Sequence, residues 1–119
     1  MRVVVVERYG GPEVLQVSDR EVARPGAGQL LVDVTAAGVN FMDIYQRQGA
    51  AGYAGGLPYV PGDEGAGTVA AVGSGVPDFG EGDRVAWADV PGSMPRGSSF
   101  RRIGPCPSPA TSICRWRPP

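Results

Sequence analysis

QLLVDVTAAGVNFMDIYQRQ (Gln29–Gln48) is the stretch on which the fold turns. Leu30, Val32 and Val34 fall on one face of its first half, and Leu31, Asp33 and Thr35 on the other, the period of a half-buried strand. The period then changes. Asn40 is suited to start a helix, with Asp43 three residues on as the acid of a capping box. Phe41, Ile44 and Tyr45 share one helical face, and Gly49 stops the helix. A strand is therefore expected to run almost directly into a short helix.

Outward from this stretch the pattern is β. Upstream, Arg2–Glu7 (RVVVVE) is a β-branched run, and Val14–Val17 (VLQV) reads as a shorter strand beyond the turn at Tyr9-Gly10-Gly11-Pro12. Downstream, a Gly-rich loop over Ala50–Val60 closes on Leu57-Pro58-Tyr59-Val60-Pro61. Gly65–Val72 (GAGTVAAV) and Asp83–Ala88 (DRVAWA) then read as strands joined through glycine turns. Gly and Pro together exceed a quarter of the 119 residues, but they fall between short apolar runs. That placement predicts a small, turn-rich β-barrel with little helix. Strand alternation alone does not name it.

Composition narrows the function classes. The chain has no Lys and no His, and both cysteines, Cys106 and Cys114, lie in its last 26 residues. A disulfide-framed secreted fold and a His/Cys zinc site in the body are therefore not expected. The N-terminus has no signal-peptide pattern, and no apolar run has membrane-spanning length. The expectation is a soluble, cytoplasmic protein that binds neither membrane nor nucleic acid.

The segment Met94–Pro119 breaks the pattern. Residues 1–93 carry six Arg against twelve acids, whereas residues 94–119 carry five Arg and no acid, with six Pro and both Cys. The expected division is a barrel domain over 1–93 and an Arg/Pro-rich, disordered tail over 94–119. GC-rich DNA read out of frame yields such a composition. Read one base earlier, with G or C at free third positions, the tail permits YAERVVVPADRAVPVPGDVDLPVAAA: a strand, a VP-rich crossover and an Ala-rich helix. The tail is accordingly expected to be a frameshift product, with barrel strands left unpaired beside it. A genuine basic terminus is the alternative.

Four ordered segments carry a resemblance: Tyr9–Leu15 (YGGPEVL), Ala36–Tyr45 (AAGVNFMDIY), Leu57–Val69 (LPYVPGDEGAGTV) and Gly80–Val85 (GEGDRV). Together they resemble the N-terminal, GroES-like domain of the medium-chain dehydrogenase/reductase superfamily. Within it they are most similar to the quinone oxidoreductase (zeta-crystallin-like) branch. The resemblance implies a mainly β, partly open GroES-like barrel with one or two short helices. It also implies NADPH as cofactor, a small-molecule quinone as partner and a parent family that is often homo-oligomeric. The Rossmann domain that would bind the nucleotide is not expected in this chain, in which no G-x-G-x-x-G occurs.

In the zinc branch of that superfamily, the positions of Asn40 and Asp63 hold Cys and His metal ligands. An amide and a carboxylate are a poor zinc pair, so a carbonyl would be polarised by hydrogen bonds instead. The resemblance implies a catalytic and cofactor-facing role for Asn40; on its residue chemistry alone, a helix cap is the favoured reading. The resemblance also implies a catalytic and substrate-binding role for Tyr45 and a substrate-binding one for Tyr53, with packing on the helix's apolar face as the other reading of Tyr45. Structural roles are expected for Asp43, for Glu64 as a buried, paired carboxylate, and for Gly62, Gly65 and Gly67 in close backbone packing.

The expected function is that of the N-terminal part of a zinc-independent NADPH:quinone oxidoreductase, inactive without its cofactor domain. The alternatives are a stand-alone binding or interaction barrel, and a zinc-free relative of the alcohol dehydrogenases or enoyl reductases.

Overall fold

The structure is a computed structural model that describes residues 2–22 and 24–88, together with the backbone of residues 95–96, 98–102 and 112–115. The β-branched start forms β1 (Arg2–Val6), followed by a single 3-10 turn at Pro12–Val14 and β2 (Leu15–Asp19). The deciding stretch forms β3 (Gln29–Ala37) and α1 (Phe41–Gln48). β4 (Gly65–Val72) and β5 (Arg84–Ala88) complete the body, and β6 (Pro95–Arg96), β7 (Ser98–Arg102) and β8 (Ser112–Arg115) follow.

These strands make two antiparallel sheets, ordered β2-β1-β6 and β7-β3-β4-β5-β8, which do not close on each other. The partly open barrel implied by the sequence is the fold observed. The alternation in β3 is borne out as well. Leu30 and Val32 are fully buried, and with Val69, Val85 and Trp87 they form the core, against which Val34, Val72, Val76 and Phe79 pack. Shifts in register at Leu31/Val32 and Val34/Ala36 bend the central β3–β4 pair, as bulges do. A Cβ at Gly67 would overlap the Asp33 carbonyl across that pair, so only glycine fits there.

Helix α1 corrects the sequence reading. Phe41, Ile44 and Tyr45 do not form a buried stripe: Phe41 is 75% and Tyr45 42% exposed. The residues turned inward are Asp43 and Arg47, each only 8% exposed and one turn apart. Their polar groups are satisfied by loop backbone. Arg47 Nη1 donates to the Gly10 carbonyl at 3.0 Å, and Asp43 Oδ2 accepts from the Asn40 N–H at 2.7 Å. The Gly10 N–H returns a bond to the Arg47 carbonyl at 3.0 Å. The helix ends on Gly49 in the left-handed region (φ 68°), where a side chain would also strike the Tyr9 ring.

Beyond Ser93 three short strands are described: β6 pairs with β1, β7 with β3 and β8 with β5. The physical reason is generic, because an open strand edge presents N–H and C=O groups that pair with extended backbone of any sequence. Cys106 and Trp116 lie outside the described residues.

Candidate functional site

The site forms where β3 ends, α1 begins and the loop before β4 returns. Asn40 stands at the junction with extended backbone (φ −121°, ψ 160°) and caps α1; its side chain faces the Asp43 N–H while the Asp43 carboxylate takes the Asn40 N–H. Beyond the cap, Asn40 Nδ2 donates to Glu64 Oε1 at 2.9 Å, and the Gly38 N–H donates to the Glu64 carbonyl at 3.1 Å. Glu64 is thus a paired carboxylate, half-buried rather than buried.

Neighbouring residues Asp63 and Glu64 serve opposite sides. Asp63 lines a cavity of about 280 Å³ with Gln46, Tyr53, Tyr59 and Val60, and accepts a bond from Gln46 Nε2 at 3.2 Å. Glu64 lines a more open groove with Gly38, Gly65 and Trp87. Gly62, just upstream, has a positive φ of 93°, the left-handed region that favours glycine. A Cβ at Gly65 would press on the Trp87 ring and the Ala36 carbonyl.

The two tyrosines meet. The rings of Tyr45 and Tyr53 lie 5.4 Å apart, tilted by 45°, a favourable aromatic arrangement. Both are more than 40% exposed, so Tyr45 does not do the ordinary core packing that was its other reading. Val39, Phe41 and Met42, just before and in the first turn of the helix, are also exposed apolar residues.

Two contributors were missed. Gln46 is the next residue after the matched Ala36–Tyr45 segment, and its amide is what fixes Asp63 in the cavity. Tyr59 carries a buried hydroxyl with no hydrogen-bond partner among the described residues, and burial pushes its ionisation up, with Tyr9 and Asp43 adding to the effect. Only the Leu57–Val69 segment hinted at it. No group of three or more His, Cys, Asp or Glu is placed to hold a metal among the described residues, and no helix among them is long and apolar enough to cross a membrane.

An open barrel with a capped helix between its third and fourth strands defines a class, and the sequence matches it. The chain belongs to the alcohol dehydrogenase GroES-like domain family, matching it over residues 26–107. Its particular kin are quinone oxidoreductases. It is 52% identical over 83 residues to the quinone oxidoreductase of Pseudomonas aeruginosa and 45% identical over 86 residues to that of Rattus norvegicus. These matches cover 70% and 71% of this chain. The chain spans about a quarter of the length of these curated relatives. Among solved structures, the Escherichia coli quinone oxidoreductase complexed with NADPH superposes with a TM-score of 0.76 at 34% identity, over 85% of this chain and 31% of that one. The likeness to the quinone oxidoreductase branch of the medium-chain dehydrogenases/reductases is thereby borne out.

Proposed function

We propose that this chain supplies the substrate-side wall of a zinc-independent NADPH:quinone oxidoreductase. The observation that carries the reading is one short helix that bears both a pinned amide at its cap, Asn40 tied to Glu64, and an exposed aromatic side chain, Tyr45, which meets Tyr53. A flat quinone ring suits an aromatic face, and its carbonyl oxygen needs a hydrogen-bond donor as negative charge develops. In this reading Tyr45 and Tyr53 bind the ring, and Asn40 donates to the oxygen or to the nicotinamide end of the cofactor. NADPH supplies the hydride. The residues at this site fit only the nicotinamide end of that cofactor, through the Asn40 amide, because the chain has no glycine-rich phosphate loop. At the two positions compared with zinc enzymes, an amide and a carboxylate bonded to Gln46 favour polarisation by hydrogen bonds over a metal.

Binding is the direct test. Tetramethyl-1,4-benzoquinone, whose ring carbons are all substituted and do not add thiols, is titrated into the 15N-labelled chain. Resonances of Asn40, Tyr45 and Tyr53 should move together. Movement confined to another surface, or none, refutes the reading. With only one wall of the cleft, the chain by itself should not oxidise NADPH with quinone at an enzymatic rate, since the advantage of holding both reactants is missing.

A further inference from the structure

The Asn40 amide has four hydrogen-bonding valences, two N–H donors and two lone pairs on its oxygen. As a carboxylate, Glu64 offers only acceptors, so the atom of Asn40 that meets it at 2.9 Å must be the nitrogen. That contact settles which way the amide is turned. The oxygen is left on the side of the Asp43 N–H, in the capping arrangement. One donor is then committed to Glu64. The Asp43 N–H donates to the Asn40 backbone carbonyl at 3.1 Å, so the side chain, on an exposed residue, keeps its second N–H and its oxygen outside that bond.

Glu64 reaches this place because Gly38 is a glycine. The Gly38 N–H holds the Glu64 backbone at 3.1 Å, and a Cβ at Gly38 would overlap the Glu64 carboxylate itself. Gly38 and Asn40 stand two residues apart at the end of β3, and Glu64 immediately precedes β4. The end of the β3–β4 pair thus delivers acceptor and amide to one point.

We propose that Glu64 is the positioning residue for Asn40. By accepting one Nδ2 hydrogen it fixes which way the amide is turned and leaves the other N–H as its one free donor. Asn40 then meets a ligand acceptor, such as a carbonyl or phenolate oxygen, through a single oriented N–H. Gly38 is the space that admits the carboxylate. The ligand class rests on the function proposed above; the positioning itself does not.

The test reads the Asn40 side-chain amide by NMR in the intact chain. In the wild type the two Hδ2 resonances should be well separated, one bonded and one free. In Glu64→Ala they should draw together, and solvent exchange of the formerly bonded proton should quicken about threefold, the scale of one modest net hydrogen bond. Glu64→Gln keeps an acceptor oxygen and should retain the separation. Gly38→Ala leaves Glu64 in the sequence but displaces its carboxylate, and should mimic Glu64→Ala. The Asn40 backbone N–H, bonded to Asp43, reports that the cap is intact in each variant. An unchanged Hδ2 pair in either alanine variant with an intact cap overturns the proposal. The quinone titration separates the two ideas. If quinone moves nothing at the site while Glu64→Ala still releases the amide, the functional reading fails and the positioning stands. If quinone shifts the Hδ2 pair equally in the wild type and Glu64→Ala, the positioning fails.

Discussion

Replacing Arg47 should loosen the helix that carries the site more than any change on its exposed face. Arg47 is 8% exposed and donates from Nη1 to the Gly10 carbonyl at 3.0 Å. Arg47→Met keeps most of the stem and removes that bond. A hydrogen bond from a charged group is worth about 1.5–3 kcal/mol, and relief of the guanidinium's own burial offsets part of it, leaving a loss of about 2 kcal/mol. Arg47→Ala also removes the stem, whose methylenes contribute about 0.8 kcal/mol each, less the rotamer freedom regained, for a total of about 3 kcal/mol. In a domain of this size, 2 kcal/mol lowers Tm by on the order of 10 °C. The return bond from the Gly10 N–H is backbone to backbone, so α1 should fray rather than detach. Urea unfolding followed by tryptophan fluorescence gives the loss from the midpoint at constant slope, and hydrogen exchange should show α1 opening first. If Arg47→Met melts within 1 °C of the wild type, or if Ala and Met are equally damaging, the account of α1 as anchored by a guanidinium is wrong.

The Tyr59 hydroxyl is buried without a partner among the described residues, so Tyr59→Phe should stabilise the chain by about 1 kcal/mol, where loss of a needed bond would instead destabilise it. Because burial raises the Tyr59 ionisation in the folded state, the neutral phenol is favoured there. Its contribution is full below the ordinary tyrosine range and is lost as pH rises through the higher folded value, so wild-type stability should fall at strongly alkaline pH more steeply than that of Tyr59→Phe; parallel curves would contradict the assignment. For the tail, we propose that residues 94–119 are read out of frame. Resequencing the gene should reveal, one frame away, a strand with VVV in place of Ser98-Ser99-Phe100, and a nucleotide-binding glycine motif further on; a downstream frame without such a motif refutes this.

How much was legible depended on how local each cause is. The burial of Leu30 and Val32 followed from alternation within one strand, where backbone geometry alone sets the faces. The cap at Asn40 was legible for the same reason, since its acid is three residues away. The inward turn of Asp43 and Arg47 was not. It depends on the Gly10 carbonyl, 37 residues from Arg47, which no helical period encodes. Tyr53 was placed only loosely by sequence, because a glycine-rich loop sets its position and its partner Tyr45 lies across that loop. The Asn40–Glu64 bond spans 24 residues and required the β3–β4 register before it could be seen.

The inversion of α1 explains how a small barrel leaves its site side chains free. An apolar helix face would ordinarily hold the helix down, and Phe41 and Tyr45 would then be committed to packing. Here Arg47 and Asp43 do that holding through directional bonds to loop backbone, at the desolvation cost that buried charges carry. Phe41, Met42 and Tyr45 are released to the outer surface, where Val39 and Tyr53 are also exposed. Large apolar side chains left on the surface of one short helix are what a binding face draws on. The buried charged residues and the exposed aromatic ones are therefore two consequences of one arrangement. The same division of labour recurs at Asn40, where Asp43 holds the backbone of the helix start and Glu64 takes one hydrogen of the amide, leaving the second N–H uncommitted among the described residues.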